Sequence, residues 1–157
     1  MTDEIAALVA RHKLAPHPEG GFYRETFRSQ STVCNTLTGD IRSASTAILF
    51  LLTPDSFSAF HRLQSDEIWH YYEGDPIALH LLQAAGPAEI VLSPENPDFA
   101  VPAGVWQAAR CSGNRYSFCG CTVAPGFEFE DFELGLRAAL LAEFPNSRAL
   151  IDAFTRG

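Results

Sequence analysis

A succession of short apolar runs, each ended by glycine, proline or aspartate, is the feature that most constrains the fold of this chain. The first run, 47–52, has six residues between turn formers and is typical of a buried strand. The other runs follow with no helical period between them, at 57–63, 67–73, 77–83, 90–92, 99–101, 106–110 and 116–123. Strands of this length, with breaks of this kind, predict an antiparallel sandwich or barrel.

Helical periods flank the strand region at both ends of the chain. Thr2 is a candidate cap for a first helix, with two acidic residues in the first turn and apolar residues at helical spacing after them. Near the other end, leucines and Phe144 repeat at helical spacing until Pro145 stops them. The segment 127–132 alternates aromatic rings with carboxylates, which fits either a last strand or the approach to a helix. The pattern predicts an all-β fold with flanking helices.

The length of 157 residues and the hydrophobic content of 46% predict one domain with one sizeable core. We expect this domain to span 1–157. Within it we expect an N-terminal helix in 1–15, the strands in 17–132 and C-terminal helices in 133–157.

The formal net charge of −8 argues against nucleic acid or an anionic membrane as a partner, because both need a positive surface. We expect a small-molecule ligand as the partner of the pocket. No C-x-x-C motif occurs among the four cysteines, which predicts reduced thiols in a cytoplasmic protein. Open sheet edges and twelve phenylalanines leave apolar surface to cover, so we also expect a homodimer.

The stretch 57–76 concentrates the chemistry of the chain. It holds His61, Glu67 and a run of aromatic residues, interleaved with apolar positions as in a strand that lines a pocket. Because side chains alternate between the two faces of a strand, Glu67 is expected to share a face with Trp69 and Tyr71. His70 is expected on the opposite face.

Two segments resemble the motifs of the cupin superfamily. His61, Glu67 and Gly74 stand where the first motif, H-x-H followed by E and G, has its first histidine, glutamate and glycine. The segment 102–107, PAGVWQ, resembles the second motif, P-x-G-x-x-H. The strings HPEGGFYRET, SDEIWHYYEGDP, VPAGVWQAAR and APGFEFEDFELG are similar to a subfamily of small, uncharacterised single-domain cupins. The resemblance implies the cupin double-stranded β-helix, a jelly-roll barrel, close in fold to the dTDP-sugar epimerases.

Two departures from the cupin motifs bear on metal binding. Leu63 replaces the second histidine and Gln107 replaces the third. Leucine has no donor atom, and an amide oxygen is a poor ligand for a first-row metal. We therefore expect neither a metal site nor a cofactor.

The metal-free epimerases that the fold resembles use a histidine to remove a proton next to a carbonyl group. The resemblance implies that His61 is this general base in an isomerase or epimerase. No motif match assigns the other two groups. Residue type and expected facing give Glu67 or Asp131 as the carboxylate that orients His61, and Tyr71 as the proton donor. The substrate would be carbohydrate-like or nucleotide-linked. Its binding side chains are expected to be Trp69, Trp106, Gln107 and Arg110.

Other interpretations stay open at this stage. The protein is alternatively a cupin that binds a ligand without catalysis, or a metal-dependent oxygenase or isomerase with an altered ligand set. His61 is alternatively a core histidine held by a backbone carbonyl, and Glu67 alternatively neutralises an arginine such as Arg62. Asp131 and Glu133 are then first-turn acids before the C-terminal helix, and His17 is a turn residue.

Overall fold

The structure, a computed structural model, describes all of residues 1–157. Thirteen strands form most of the fold, and three helices flank them. The strands are β1 Ala15–Pro16, β2 Phe22–Arg28, β3 Thr32–Cys34, β4 Ile41–Ser43, β5 Thr46–Leu52, β6 Phe57–Leu63, β7 Asp66–Gly74, β8 Ile77–Leu82, β9 Ala88–Leu92, β10 Asp98–Val101, β11 Trp106–Cys111, β12 Ser117–Ala124 and β13 Phe132–Leu134. The helices are α1 Asp3–His12, α2 Arg137–Glu143 and α3 Arg148–Ala153.

The strands form two larger antiparallel sheets and one short hairpin. A six-stranded sheet has the order β1-β2-β5-β12-β7-β10, and a five-stranded sheet has the order β13-β6-β11-β8-β9. Strands β3 and β4 pair only with each other. Neighbours in the sheets are mostly distant in the sequence, as expected when consecutive strands cross between the two layers of a jelly roll.

The main hydrophobic core contains buried side chains from both larger sheets. The six-stranded sheet contributes Phe50, Trp69 and Cys119, and the five-stranded sheet contributes Leu79 and Cys111, among twelve buried residues. Sheets packed face to face bury their inner faces in this way.

Helices cover the outer faces of the same two sheets. Helix α1 packs with Ile5 and Leu8 against Leu51 of β5. On the other side, Leu140 of α2 and Ile151 of α3 pack against the five-stranded sheet. Strands buried on both faces need apolar residues at consecutive positions, which explains the unbroken run at 47–52.

The structure confirms the all-β fold with flanking helices and agrees with the jelly-roll barrel. Thr2 caps α1, because its Oγ1 accepts a hydrogen bond from the amide of Ile5. The C-terminal helices begin later than expected, since residues 132–134 form β13 and pair with β6. Glu133 pairs there with Arg62 and is not a first-turn acid of a helix. None of the three helices is long and apolar enough to cross a membrane.

Gly74, which ends β7, offers a test of the packing between the sheets and the turns. Its φ is +93°, and a Cβ at this position would lie 2.3 Å from the carbonyl oxygen of Tyr116. Gly39, with φ +81° and open space around it, is a matched control. We expect Gly39→Ala to cost about 1–2 kcal/mol from the backbone conformation alone.

Gly74→Ala should cost a further 1–3 kcal/mol or so, because the added methyl group has no room. Urea unfolding of the two variants measures the difference in their free energies of unfolding. Equal losses in the two variants would show that the close approach to Tyr116 does not constrain the fold.

Candidate functional site

A cavity of about 120 Å³ lies at one end of the barrel, between the two sheets. Strands β2, β5, β6, β7 and β12 line it, together with the turn at 17–21 and the segment 127–132. His61 from β6 and Glu67 from β7 both face this cavity. The structure therefore brings together the two residues that fill cupin motif positions.

Glu19 is the closest charged partner of His61. Nδ1 of His61 lies 2.6 Å from Oε2 of Glu19 and 2.8 Å from the carbonyl oxygen of Ala59. Both side chains are buried, with 3% and 7% of their surfaces exposed. The ring N–H at Nδ1 makes its hydrogen bond with the Ala59 carbonyl, and Oε2 of Glu19 lies beside it at ion-pair distance without a hydrogen-bond partner of its own. Glu19 thus takes the position next to His61 that the sequence assigned to Glu67 or Asp131. The contact with the Ala59 carbonyl agrees with the interpretation of His61 as a core histidine held by a backbone carbonyl. That interpretation does not account for the contact with Glu19.

Backbone contacts fix the turn that carries Glu19. The carbonyl oxygen of Glu19 accepts hydrogen bonds from the amide of Ala59, at 3.0 Å, and from Nη2 of Arg156, at 2.7 Å. The same Nη2 donates to the carbonyl oxygen of Phe57, and the guanidinium group lies over the Phe57 ring. Gly20, with φ +115°, has no room for a Cβ against these groups. A residue next to the C-terminus therefore holds the backbone of Glu19 in place.

The Glu19–His61 contact shifts the pKa of both groups. Burial alone lowers the pKa of His61, but the charge of Glu19, its close contact and the charge of Glu67 outweigh burial and raise this pKa to about 9. Burial alone raises the pKa of Glu19, but the positive charge of His61 outweighs it and the net shift is downward. A buried carboxylate and a buried imidazolium each remove the other's uncompensated charge. At neutral pH the pair is therefore ionic.

Glu67 has the opposite electrostatic environment. Its pKa is raised to about 7, first because the side chain is buried and also because Glu19 is negatively charged, while His61 and the Cys121 thiol act in the other direction. Its carboxylate makes no ion pair with an arginine, so it does not neutralise Arg62. Glu67 is thus a carboxyl group that exchanges its proton near neutral pH.

His17 lies in the same cavity, although the sequence favoured a simple turn role for it. Its Nδ1 accepts a hydrogen bond from the amide of Glu19, at 3.1 Å. Burial lowers its pKa, partly offset by the charge of Glu19, so the ring is neutral at pH 7. The ring packs edge-on against Tyr23, with centroids 4.4 Å apart. His17 therefore belongs to both the turn and the cavity wall.

Aromatic side chains of the segment 127–132 form the mouth of the cavity. The rings of Phe127, Phe129 and Phe132 contact one another with centroids 4.9–6.4 Å apart. Asp131 anchors this segment, because its two carboxylate oxygens accept hydrogen bonds from Arg42 at 2.7 and 2.9 Å. Asp131 thus lies outside the cavity and is not a partner of His61. It is an acidic residue in the first turn of a short 3-10 helix, Phe129–Asp131, which precedes β13 and not the C-terminal helices.

Tyr71 also lies away from the cavity. It shares a strand face with Glu67, as expected, but four residues along a strand separate them by about 13 Å. Its hydroxyl group donates a hydrogen bond to the carbonyl oxygen of Gly74, at 2.6 Å. The tyrosine that lines the cavity is Tyr23, on β2.

None of the four residues expected to bind substrate lines the cavity. Trp69 is in the core, where its Nε1 donates to Oε1 of Gln107 at 2.7 Å. Trp106 packs on the outer face beneath the helices, with Arg62 over its ring. Arg110 lies over the ring of Phe154. Trp106 and Gln107 are consecutive in β11, so they point to opposite faces and cannot line one pocket together.

The two altered cupin motif positions supply no donor for a first-row metal. Leu63, which lines the cavity, has no donor, and the amide oxygen of Gln107 is engaged by Trp69. No group of three or more histidine, cysteine, aspartate or glutamate side chains is arranged to hold a metal ion. Such metals need at least three protein ligands with imidazole, thiolate or carboxylate donors.

Several known proteins are similar to this chain. The family model described as Cupin superfamily (DUF985) matches residues 6–135. A hypothetical protein from Leishmania major has a solved structure with 33% identity and a TM-score of 0.91, and the match covers 100% of both chains. A protein from Shewanella oneidensis has 33% identity, 96% coverage of both chains and a TM-score of 0.86. An uncharacterized protein of Saccharomyces cerevisiae is 28% identical over 81% of this chain and 73% of its own length. These similarities confirm the resemblance that the two sequence motifs indicated.

Glu67→Gln tests whether ionisation of the buried carboxyl group destabilises the folded protein. A raised pKa in the folded state means that ionisation of Glu67 costs stability as the pH rises from about 4.5 to about 7. The amide that replaces the carboxyl group cannot ionise, so the variant should be more stable than wild type at pH 8, by up to about 3 kcal/mol. The difference should vanish at pH 4.

Denaturant unfolding at the two pH values measures this difference. Glu133→Gln, on the surface pair with Arg62, is the control, and its pH dependence should match wild type within a few tenths of a kcal/mol. A Glu67→Gln variant that is less stable than wild type at pH 8 would contradict the assignment.

Arg156→Ala tests the link between the C-terminus and the turn of Glu19. Without the guanidinium group, the carbonyl of Glu19 loses one charged donor, and the amide of Ala59 loses a fixed acceptor. Hydrogen exchange at the Ala59 amide should then become roughly tenfold faster, as for a charged hydrogen bond worth about 1.5 kcal/mol.

The exposed Arg148, which makes no side-chain hydrogen bond, supplies the control variant Arg148→Ala. Exchange at the Gly126 amide, which donates to Ser43, serves as an internal reference. Unchanged protection of Ala59 in Arg156→Ala would show that Arg156 does not hold the turn.

Proposed function

The chain belongs to the family described as Cupin superfamily (DUF985), and on this premise we propose that it is an isomerase or epimerase that works without a metal. The proposed reaction moves a proton at a carbon atom next to a carbonyl group. One observation carries the proposal, namely that the buried Glu19–His61 pair shares a cavity with Glu67, a carboxyl group whose pKa is about 7. Two ionisable groups whose environments move their pKa values apart are typical of an acid and a base in one site.

Glu67 is the general base in this proposal. A base works best when its pKa lies near the operating pH, because it is then both deprotonated and a strong proton acceptor. Burial gives Glu67 such a pKa and also excludes competing water from its carboxylate.

His61 is the proton donor and not the base. The charge of Glu19 keeps the imidazole protonated at neutral pH, and an imidazolium ring has no free lone pair to accept a proton. Nδ1 is occupied by Glu19 and Ala59, which leaves Nε2 for the oxygen of a carbonyl group. The developing negative charge on that oxygen is then stabilised by a fixed cation in a site with little water.

Two further expectations from the sequence remain proposals. We propose a homodimer, which is supported by the exposed apolar side chains Val33, Leu37 and Ile41 on and between β3 and β4. The cytoplasmic location rests on the free cysteines, of which Cys34 is exposed.

The pH dependence of turnover tests the assigned roles. Activity needs Glu67 ionised and His61 protonated, so kcat/KM should rise through an apparent pKa near 7 and fall through one near 9. Glu67→Gln should lower turnover by about 10²–10⁴-fold, as removal of a general base does.

Exchange of carbon-bound hydrogen for deuterium in D₂O, followed by ¹H NMR on hydroxy aldehydes and hydroxy ketones, measures the reaction without knowledge of the product. His61→Asn should also lose exchange, whereas the surface variant Glu133→Gln should keep it. Full exchange activity in Glu67→Gln would overturn the proposed roles. Binding of these compounds with no exchange at any pH would favour a cupin that binds without catalysis.

A further inference from the structure

We propose that the substrate is an uncharged hydroxy aldehyde or hydroxy ketone of three or four carbon atoms. This inference rests on the proposed proton transfer and specifies the substrate of the same site. Three properties of the cavity carry it: its volume, the balance of charges in its wall, and the adjacent placement of one proton donor and one proton acceptor.

The volume limits the size of the reacting molecule. A cavity of about 120 Å³ is small beside most ligand sites. Sites for drug-sized ligands and cofactors are about 300–1,000 Å³. A nucleotide-linked sugar, which the sequence left open, is therefore far too large for this cavity.

The charges in the wall disfavour an anion. The carboxylates are Glu19, Glu25, Glu67 and Glu128, and the cations are His61 and Arg28. Arg28 is already engaged, because it donates to Glu25 and to Glu128 at 2.9 Å. His61 is engaged by Glu19. The wall thus carries four carboxylates against two paired cations, and burying a further anion beside Glu67 is costly.

A cationic group next to Glu67 is disfavoured by the charge of His61. The imidazolium of His61 stands at the same end of the cavity as Glu67, so an ammonium group near Glu67 would meet a like charge. The remaining wall consists of aromatic and aliphatic side chains, including Tyr23, Phe50 and Leu63. An uncharged molecule with few polar groups fits such a wall best.

The chemistry of the pair requires a carbonyl group next to a carbon that carries hydrogen and hydroxyl. Glu67 takes the proton from this carbon, and the electron pair of the broken C–H bond forms a C=C bond. The carbonyl electrons move to the oxygen, which takes a proton from His61 to give an enediol. Glu67 then returns its proton to the former carbonyl carbon, while the other hydroxyl group returns a proton to His61. The product is the isomeric hydroxy carbonyl compound, and no oxidant or reductant is needed.

Three probes separate the effects of size and charge. Dihydroxyacetone is small and uncharged, dihydroxyacetone phosphate adds an anion, and fructose is uncharged but twice as long. Binding is measured by saturation-transfer NMR to Glu67→Gln, which has the cavity without the base. Deuterium exchange is measured with wild type. We expect dihydroxyacetone to bind and exchange, with the other two compounds at least about tenfold weaker in both.

The variant Phe129→Ala examines the size limit further. Phe129 is 51% exposed at the mouth, so its removal should leave the fold intact. The variant should reduce the difference in binding affinity between dihydroxyacetone and fructose. No change in this preference would count against the size limit.

The outcomes distinguish the inference from the proposed function. Exchange of the phosphate or of fructose as fast as that of dihydroxyacetone would overturn the substrate class and leave the proton transfer standing. Binding of dihydroxyacetone without exchange would support the substrate class as a ligand class and overturn the proton transfer. No binding of dihydroxyacetone would overturn the inference.

Discussion

The buried contact between Glu19 and His61 is the interaction on which the site depends. It places a carboxylate and an imidazolium together where little solvent reaches either, and such a pair is stable only when its geometry is fixed. The fold fixes it from two directions. Strand β6 holds His61, which meets the carbonyl of Ala59, and the turn at 17–21 holds Glu19 through Ala59 and Arg156. Glu19 and Arg156, 137 residues apart in the sequence, thus meet next to His61.

Burial of Glu67 lowers the free energy of unfolding of the protein once this carboxyl group ionises. A glutamine at this position would fill the same space without burying a charge, yet the chain has a carboxyl group whose pKa is raised to about 7. Burial of an ionisable group without a full partner is a typical trade of stability for function. The pair of Arg42 and Asp131 instead stabilises the structure around the site. Its two hydrogen bonds hold the aromatic segment in place over the mouth of the cavity.

The sequence predicted the fold well and the site only in part. Short runs such as 57–63 have the length and composition of strands whatever their neighbours are, and β6 has these bounds. His61 and Glu67 were found because motif spacing within two consecutive strands survives in the fold. Glu19 was missed because it lies 42 residues before His61, and only the three-dimensional turn brings them together. The double glycine at 20–21, which indicates a turn or a close approach of the backbone, was the available signal in the sequence. Trp106 was misplaced because the face it occupies depends on the register of β11, which pattern alone does not fix.

The titration of His61 tests this account most directly. Long-range ¹H–¹⁵N NMR of the histidine rings between pH 5 and 10 reports the pKa of each imidazole, and Glu19→Gln removes the partner charge. We predict that His61 titrates near pH 9 in wild type and at a clearly lower pH in Glu19→Gln, where only the charge of Glu67 and the Ala59 carbonyl oppose the effect of burial. A wild-type His61 that titrates at or below 6.5, or one that Glu19→Gln does not change, would contradict the ion pair and the roles built on it.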